Sequence, residues 1–468
     1  MLVGFKQKLL INYRGFSPRY NINIRQLNMK KSFAAVALML PFISQAAPVV
    51  SSPGALNTLG SGATPQTGLS VIYNPASAEM VIQPDNTARW GYMASTGLSV
   101  EVGDVSNFAD DVEELIDNLD LDDVTASQGD DIIDDYNNNL RHKLGDEGYT
   151  KINFHIVAPI APLLIRSDFL GGVVSMDLMG GVTAKISVLD DDIILNSTTD
   201  KFETNTAAYV KSVQYTTFGL GYGREVDAGW FNDLTRDMDG RLLAGVRANI
   251  YNLKLSKQVV GLTNIDEDDK LADIIADDYD KNQSSSTAVG LDLGLIWQAP
   301  NYHLGLAWKN INEPEFDYGA IGQNCNANDT NTAINNCFTA QYFANERRIS
   351  FNEKHVMTGQ VTLDAALNSE DKRWRLATAY DMQAMRDPIG DEYQWASASV
   401  AYVSSSIFGG RLGFSQNQVG SELTTLNAGL SLFGVVNLDV RYGLDSVEID
   451  GESAPRTVGI NLGFESSF

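Results

Sequence analysis

Residues Thr457–Phe468 read T-V-G-I-N-L-G-F-E-S-S-F. Val458, Ile460, Leu462, Phe464 and Phe468 share one parity; Gly459, Asn461, Gly463, Glu465 and Ser467 share the other. Alternation of period two puts the two sets on opposite faces of a β-strand. One face is apolar and aromatic, and the other is small and polar. Such a strand has two homes. In a soluble sandwich it would be an edge strand with its polar face in water. In a membrane barrel the apolar face would meet lipid and the polar face a lumen.

The same alternation runs through the chain from Ala88 onward. Trp90, Tyr92, Thr96, Leu98, Val100 and Val102 share a face, as do Ile152, Phe154 and Ile156. The longest run holds Val174, Met176, Leu178, Val182, Ala184, Ile186 and Val188 in phase. Later runs include Val289/Leu291/Leu293/Leu295, Leu304/Leu306/Trp308, Leu426/Ala428/Leu430/Leu432 and Leu438/Val440/Tyr442. The opposite faces carry Asp177, Lys185, Arg247, Asp292, His303, Arg375, Asp439 and Arg441.

The connections favour the barrel. Counting from Ala88 gives about fourteen strands, an even number as single-chain bacterial barrels have. Long linkers at Gly103–Gly148, Asp190–Asn205, Thr263–Ser286 and Asn312–Asn352 alternate with tight turns such as Ala299–Asn301 and Phe433–Gly434. Two near-side turns, Pro159–Phe169 and Glu225–Asp239, are longer. Trp90, Trp297, Trp308, Trp374 and Trp395 suit aromatic girdles at the two interfaces. Gly180-Gly181 interrupts the third strand as a glycine bend. The fold class is therefore all-β: an antiparallel transmembrane barrel spanning 88–468. The closing strand resembles that of bacterial outer-membrane barrels, which implies that the barrel-assembly machinery reads Phe464 and Phe468.

Composition narrows the function. The chain has 468 residues with a net charge of −25. That balance lacks the basic stripe a nucleic-acid partner requires. Met29-Lys30-Lys31, apolar Ser32–Ile43 and Ser44-Gln45-Ala46 form a secretory signal, so residues 29–46 are expected to be cleaved. Residues 1–28, upstream of Met29, read as an over-extended gene start. Removing the seven Lys and Arg of 1–46 leaves 27 basic against 59 acidic residues, a net of about −32. Localisation in the bacterial outer membrane follows, with membrane lipid and lipopolysaccharide as surroundings.

Ala47–Thr87 is rich in Gly, Ser and Pro and contains Tyr73-Asn74-Pro75-Ala76. Asn-Pro starts a turn, and Pro at a first helical position predicts a short helix from Pro75 to about Met80. Y-N-P-A here resembles the NPA motif of FadL-type proteins, which implies an N-terminal hatch at 47–87 plugging the barrel. In that family a kink in the third strand opens a lateral exit, which draws attention to Gly180 and Gly181.

Chemistry is sparse. Asn107–Leu119, Asp130–Leu140 and Asp266–Asp280 have acidic helical patterns but no calcium-loop spacing, so solvated lids are expected and no metal. Cys325 and Cys337 share one loop, and a local disulfide is expected in an oxidising compartment. His142, His155, His303 and His355 show no catalytic spacing, and no enzyme or cofactor is expected.

Arg241–Leu262, Leu304–Gly319, Asp387–Ala396, Leu432–Asp445 and the Ile165–Asp168 turn together resemble proteins labelled conjugal transfer protein TraF. The F-plasmid protein of that name is associated with a thioredoxin-like fold, whereas this chain lacks C-x-x-C and a βαβ pattern. Two functional readings result. One is a hatch-gated channel for a small solute, hydrophobic ones included, held in an apolar pocket beneath the long loops. The alternative is a structural component of a conjugation or other envelope assembly, with partner proteins on its loops.

Overall fold

The computed structural model describes residues 52–82, 89–119, 126–158, 163–196, 198, 201–227, 239–265, 271, 274–275, 279, 281–328, 330–403 and 407–467. The proposed gene-start extension, the signal segment and Phe468 lie outside these residues.

Fourteen antiparallel wall positions close on themselves. They are β1 (Trp90–Val102), β2 (Tyr149–Val157 continued by Leu163–Ser167), β3 (Gly172–Leu189), β4 (Ala207–Glu225) and β5 (Arg241–Gly261). Then follow β6 (Gln283–Gln298), β7 (Tyr302–Lys309), β8 (Gln360–Asn368), β9 (Trp374–Asp381) and β10 (Trp395–Val403). The last are β11 (Phe408–Asn417), β12 (Thr424–Leu432), β13 (Val436–Gly443) and β14 (Thr457–Ser467). Closure is made by β14 on β1, with Leu98 opposite Ile460 and Val100 opposite Val458. Closing the sheet removes its free edges, so the ladders of the described strands pair on both sides.

The parity of the sequence sets inside and outside. Leu98, Val246, Ile250, Leu291, Leu306, Leu376, Leu412, Leu430 and Ile460 are exposed on the outer face. Asp177, Arg247, Asp292, Arg375, Arg411 and Asp439 are buried on the inner one. An apolar belt around the circumference far exceeds what a soluble monomer exposes, and lipid is the solvent that suits it. Phe464 belongs to this belt.

Three readings of the sequence need correction. Gly180 and Gly181 make no kink, because both stay in a regular ladder, opposite Ile156 and His155 on β2. Gly181 is there for space, since a Cβ would stand 2.6 Å from the Tyr215 ring. The irregularity lies in the neighbouring strand. Val157 pairs with Ser95 and Met179, and Leu163 pairs with Tyr92 and Met176, three positions on along both neighbours. Of the expected turn Pro159–Phe169, residues 159–162 lie outside the described residues; Leu163–Ser167 is strand, and a short turn follows Ser167. Lastly, Trp395 points inward to the lumen, whereas Trp90, Trp308 and Trp374 are exposed outside.

Above the membrane the long connections pack on one another. Helix Phe108–Leu119 buries Phe108, Val112, Leu115 and Leu119 against Val188, Phe202 and Val260. Helical turns continue through Ala126–Asp135 and Arg141–Glu147; the acidic segment after Asp266 lies mostly outside the described residues. Cys325 and Cys337 are bonded, with Cα atoms 5.3 Å apart, beside helix Asn331–Asn345. A loop of this length contributes about 3 kcal/mol by closure. The Cys325→Ser/Cys337→Ser variant is expected to speed hydrogen exchange in Asn331–Asn345 while the barrel amides stay protected.

Candidate functional site

Residues 52–82 lie inside the barrel. Asn74 opens a 3₁₀ turn, Pro75–Ser77, in extended conformation, and its side chain accepts from the Ala76 amide at 3.1 Å. Pro75 at the first helical position loses no hydrogen bond there. The turn runs into helix Ala78–Val81, as the sequence predicts.

The wall is built to receive this turn. Gly223, Gly245 and Gly294 face one another in register on β4, β5 and β6. A Cβ at Gly294 would stand 2.1 Å from Asn74 Oδ1, one at Gly245 2.3 Å from the Ala76 nitrogen, and one at Gly223 2.7 Å from the Pro75 oxygen. The Asn74 amide also donates to the Leu306 carbonyl at 3.2 Å. Gly245→Val should therefore unseat the turn, at about 1–3 kcal/mol for overpacking. Faster proteolysis of residues 52–82 in an otherwise folded barrel would register it.

Charged side chains hold the rest of the segment. Asp364 accepts from the Gly62 amide at 2.9 Å, and Thr58 donates to Asp439 at 2.5 Å. Glu465 accepts from Thr67 at 2.7 Å and from the Gly68 amide at 2.6 Å. Arg375 reaches the Ala63 carbonyl, and His303 faces Arg375 at 3.0 Å with no Ser or carboxylate partner among the described residues. Arg166 bonds Glu79 at 2.7 Å and the Ile82 carbonyl at 3.0 Å. Burial raises the Glu79 carboxyl above its ordinary range, against the opposing pull of Arg166.

A second element enters from the opposite end. The connection 382–394 between β9 and β10 forms a hairpin, Met385–Arg386 with Glu392–Tyr393, that bends into the lumen. Its turn is closed by the Asp391 amide donating to Asp387 Oδ1 at 2.8 Å, and Gly390 takes the left-handed backbone there at φ 96°. Ile389 at the tip is 3 % exposed, within the cluster holding Tyr251, Phe316, Tyr318 and Met357. His355, on the short strand Lys354–Val356 that pairs with Glu315–Asp317, stacks with Phe316 at 6.4 Å, and burial lowers it to about 4, so the ring is neutral.

Two lysines anchor the turn. Lys151 on β2 donates to Asp391 Oδ2 at 2.8 Å, and Lys185 on β3 pairs with the other carboxylate oxygen. Lys151 also lies 3.2 Å from Glu101 and over the Tyr393 ring. The β2/β3 pair stands seven positions from β9/β10 in a ring of fourteen, so the connection crosses the whole lumen.

Between these two elements lies a cavity of about 170 Å³. Leu56, Asn57, Gly60, Ile72 and Tyr73 form its floor, and Met385, Asp387 and Tyr393 its roof. The wall contributes Arg247, Asp292, Lys309, Asp364, Asp381, Trp395 and Arg441. The lining mixes the apolar surface the sequence suggested, from Leu56, Ile72, Met179 and Met385, with these charged side chains. Below the floor, towards the short turns, a wide vestibule is lined by Glu79, Arg166, His303, Lys372 and Arg375.

The lumenal charges are unequally satisfied. Arg247 grips Asp177 through two bonds of 2.5 and 2.7 Å, and Asp292 accepts from Asn249 at 2.7 Å and the Asn310 amide at 2.8 Å. Asp381 accepts from Thr362 at 2.7 Å and the Trp395 amide at 3.0 Å. Among the described residues, Lys309 has the Tyr73 ring, 3.7 Å away, and Arg441 the Trp395 ring, 5.7 Å away, and neither has an ion-pair partner. Burial pushes the Tyr73 hydroxyl up to about 12. The anchoring of the roof and the unpaired cations are what sequence reasoning missed.

Taken together, these features define a transmembrane β-barrel whose lumen holds two segments of its own chain, residues 52–82 and the connection 382–394. More particularly, the chain belongs to the family described as "F plasmid transfer operon, TraF, protein", which matches residues 71–381. Among solved structures it is similar to the Pseudomonas putida toluene transporter TodX, at 12% identity over 91% of this chain and 99% of that one, with a TM-score of 0.41. A Pseudomonas aeruginosa FadL homologue aligns at 10% identity over 91% and 99% of the chains, with a TM-score of 0.39. No curated protein matches the sequence.

Proposed function

We propose that the protein is an outer-membrane channel for a small polar solute, with residues 52–82 as the inner gate and the connection 382–394 as the outer one. The observation that carries this reading is the enclosed, charge-lined cavity between the two elements. A purely structural barrel has no use for a cavity fitted with unpaired charges, because each buried unsatisfied polar group costs about 1–3 kcal/mol. The charged lining turns the expected solute from a hydrophobic one to a polar one. The lipid-facing belt, the even strand number and the Cys325–Cys337 bond support placement in the outer membrane, among lipid and lipopolysaccharide. The test is uptake into liposomes by the purified protein. Solute-selective uptake supports a channel. If no solute passes in the wild type or in a variant freed of both gates, the channel reading fails.

The family's description supports a second reading, a structural part of a conjugation assembly. Phe169, 96 % exposed on the turn after β2, gives such a partner a point of contact on the short-turn side. Crosslinking from position 169 in cells would capture it.

A further inference from the structure

Two side chains of opposite charge face the cavity with atoms left unspent. Arg441 Nε is buried without a hydrogen-bond partner, and no carboxylate among the described residues lies within ion-pair distance of its guanidinium. Asp387 is 3 % exposed; its Oδ1 is taken by the Asp391 amide, while Oδ2 is buried and unpartnered. Native structures leave few such groups, and each calls for an explanation. Here the two belong to one enclosed space and do not pair with each other.

The charge balance argues against a ligand of single sign. Asp292, Asp364 and Asp381 line the same cavity, against Lys309 and the already neutralised Arg247. A simple anion would gain Arg441 and Lys309 but meet these carboxylates and Asp387. A simple cation would gain Asp387 and meet Arg441. We infer that the cavity binds a small zwitterion of the α-amino-acid type, its carboxylate on Arg441 and its ammonium on Asp387. Arginine offers a carboxylate two parallel donors, and an ammonium supplies the donor that Oδ2 lacks. A cavity of about 150 Å³ holds a molecule of benzene's size. The 170 Å³ here therefore suits a body of about seven or eight heavy atoms and excludes a long acyl chain. Met385, Ile72 and Leu56 give such a body an apolar surface.

This inference rests on the lumen being a solute path, and the test separates the two. Binding is measured by calorimetry at pH 8, where the Asp387 carboxyl is ionised, on the intact protein, and on Lys185→Met to loosen the roof, with three probes. They are L-valine, 3-methylbutanoate, which lacks the ammonium, and isobutylamine, which lacks the carboxylate. Valine is expected to bind at least tenfold more tightly than either analogue. Arg441→Gln should abolish its advantage over isobutylamine, and Asp387→Asn its advantage over 3-methylbutanoate. Arg441→Lys, which keeps the charge, should restore part of the first. Equal binding of the three probes, or no valine binding to either protein, overturns the inference, and uptake of other solutes would then leave the channel standing. Selective valine binding without uptake of any solute would keep the site and remove the channel.

Discussion

In the Lys151→Met/Lys185→Met variant, the hairpin tip at residue 389 becomes open to reagents from outside. Asp391 is the roof's anchor, and these two lysines are its charged partners. Burial alone would raise its carboxyl, but Lys151 and Lys185 together hold it below the ordinary range. Removing both leaves a mostly buried carboxylate without a counter-charge. Such losses cost 3–5 kcal/mol when complete, and with partial exposure on the order of 3 kcal/mol. The seated hairpin should therefore open about a hundredfold more often. Both native cysteines are bonded to each other, so a cysteine placed by Ile389→Cys is the one reactive thiol. Its labelling by a membrane-impermeant maleimide should rise by that factor; an unchanged rate would show that apolar packing alone seats the tip.

The same thiol reads a pH effect whose direction is fixed by Asp387. Burial, and then the neighbouring Asp391 charge, push the Asp387 carboxyl up to about 7, while Lys151 and Lys185 pull the other way. A carboxyl raised in the seated state takes up a proton on seating. Its contribution is complete below the ordinary carboxylate range and is lost as pH rises through about 7. Asp391, shifted the opposite way, stays ionised throughout and adds no slope there. Labelling, normalised to a fully exposed cysteine, should increase severalfold between pH 5 and pH 8, and Asp387→Asn should flatten the rise.

The wall was legible in the sequence because one physical rule, period two with lipid outside, repeats in every strand. Leu304/Leu306/Trp308 and Leu438/Val440/Tyr442 needed no knowledge of their neighbours to declare a face. The roof was illegible for the opposite reason. Asp391 gains its meaning from Lys151 and Lys185, more than 200 residues away in the chain. Sequence spacing says nothing about a contact across the diameter of a barrel. Trp395 was misplaced because it begins its strand, where an aromatic at a strand end looks like a girdle residue unless parity is carried to it. The Gly180-Gly181 pair drew attention for its composition, but at Gly181 the wall needs room for the Phe154 carbonyl and the Tyr215 ring. The three glycines that seat Asn74–Ala76 lie one per strand, and only the register brings them into a row.

Deleting residues 52–82 alone is expected to leave the barrel closed to ions in planar bilayers, and deleting them together with Lys151→Met/Lys185→Met is expected to make it conduct. Two barriers in series pass current only when both are open. The floor is held by separate contacts, among them Gly62 to Asp364, Thr58 to Asp439 and Arg166 to Glu79. None of these polar contacts touches Asp391 or its lysines, so the gates should be coupled only through the apolar cluster that Ile389 shares with Leu56 and Ile72. The deletion also exposes inner-face charges that the segment now satisfies, such as Glu465 and Arg375, and water can take its place. Each protein must first show the heat-dependent mobility of a folded barrel. Long-lived conductance in the double variant, with brief or rare events in either single one, fits two gates around a closed cavity. Full conductance on removing the segment alone would mean that the roof is no barrier, and the hairpin would then be a brace for the loops above it.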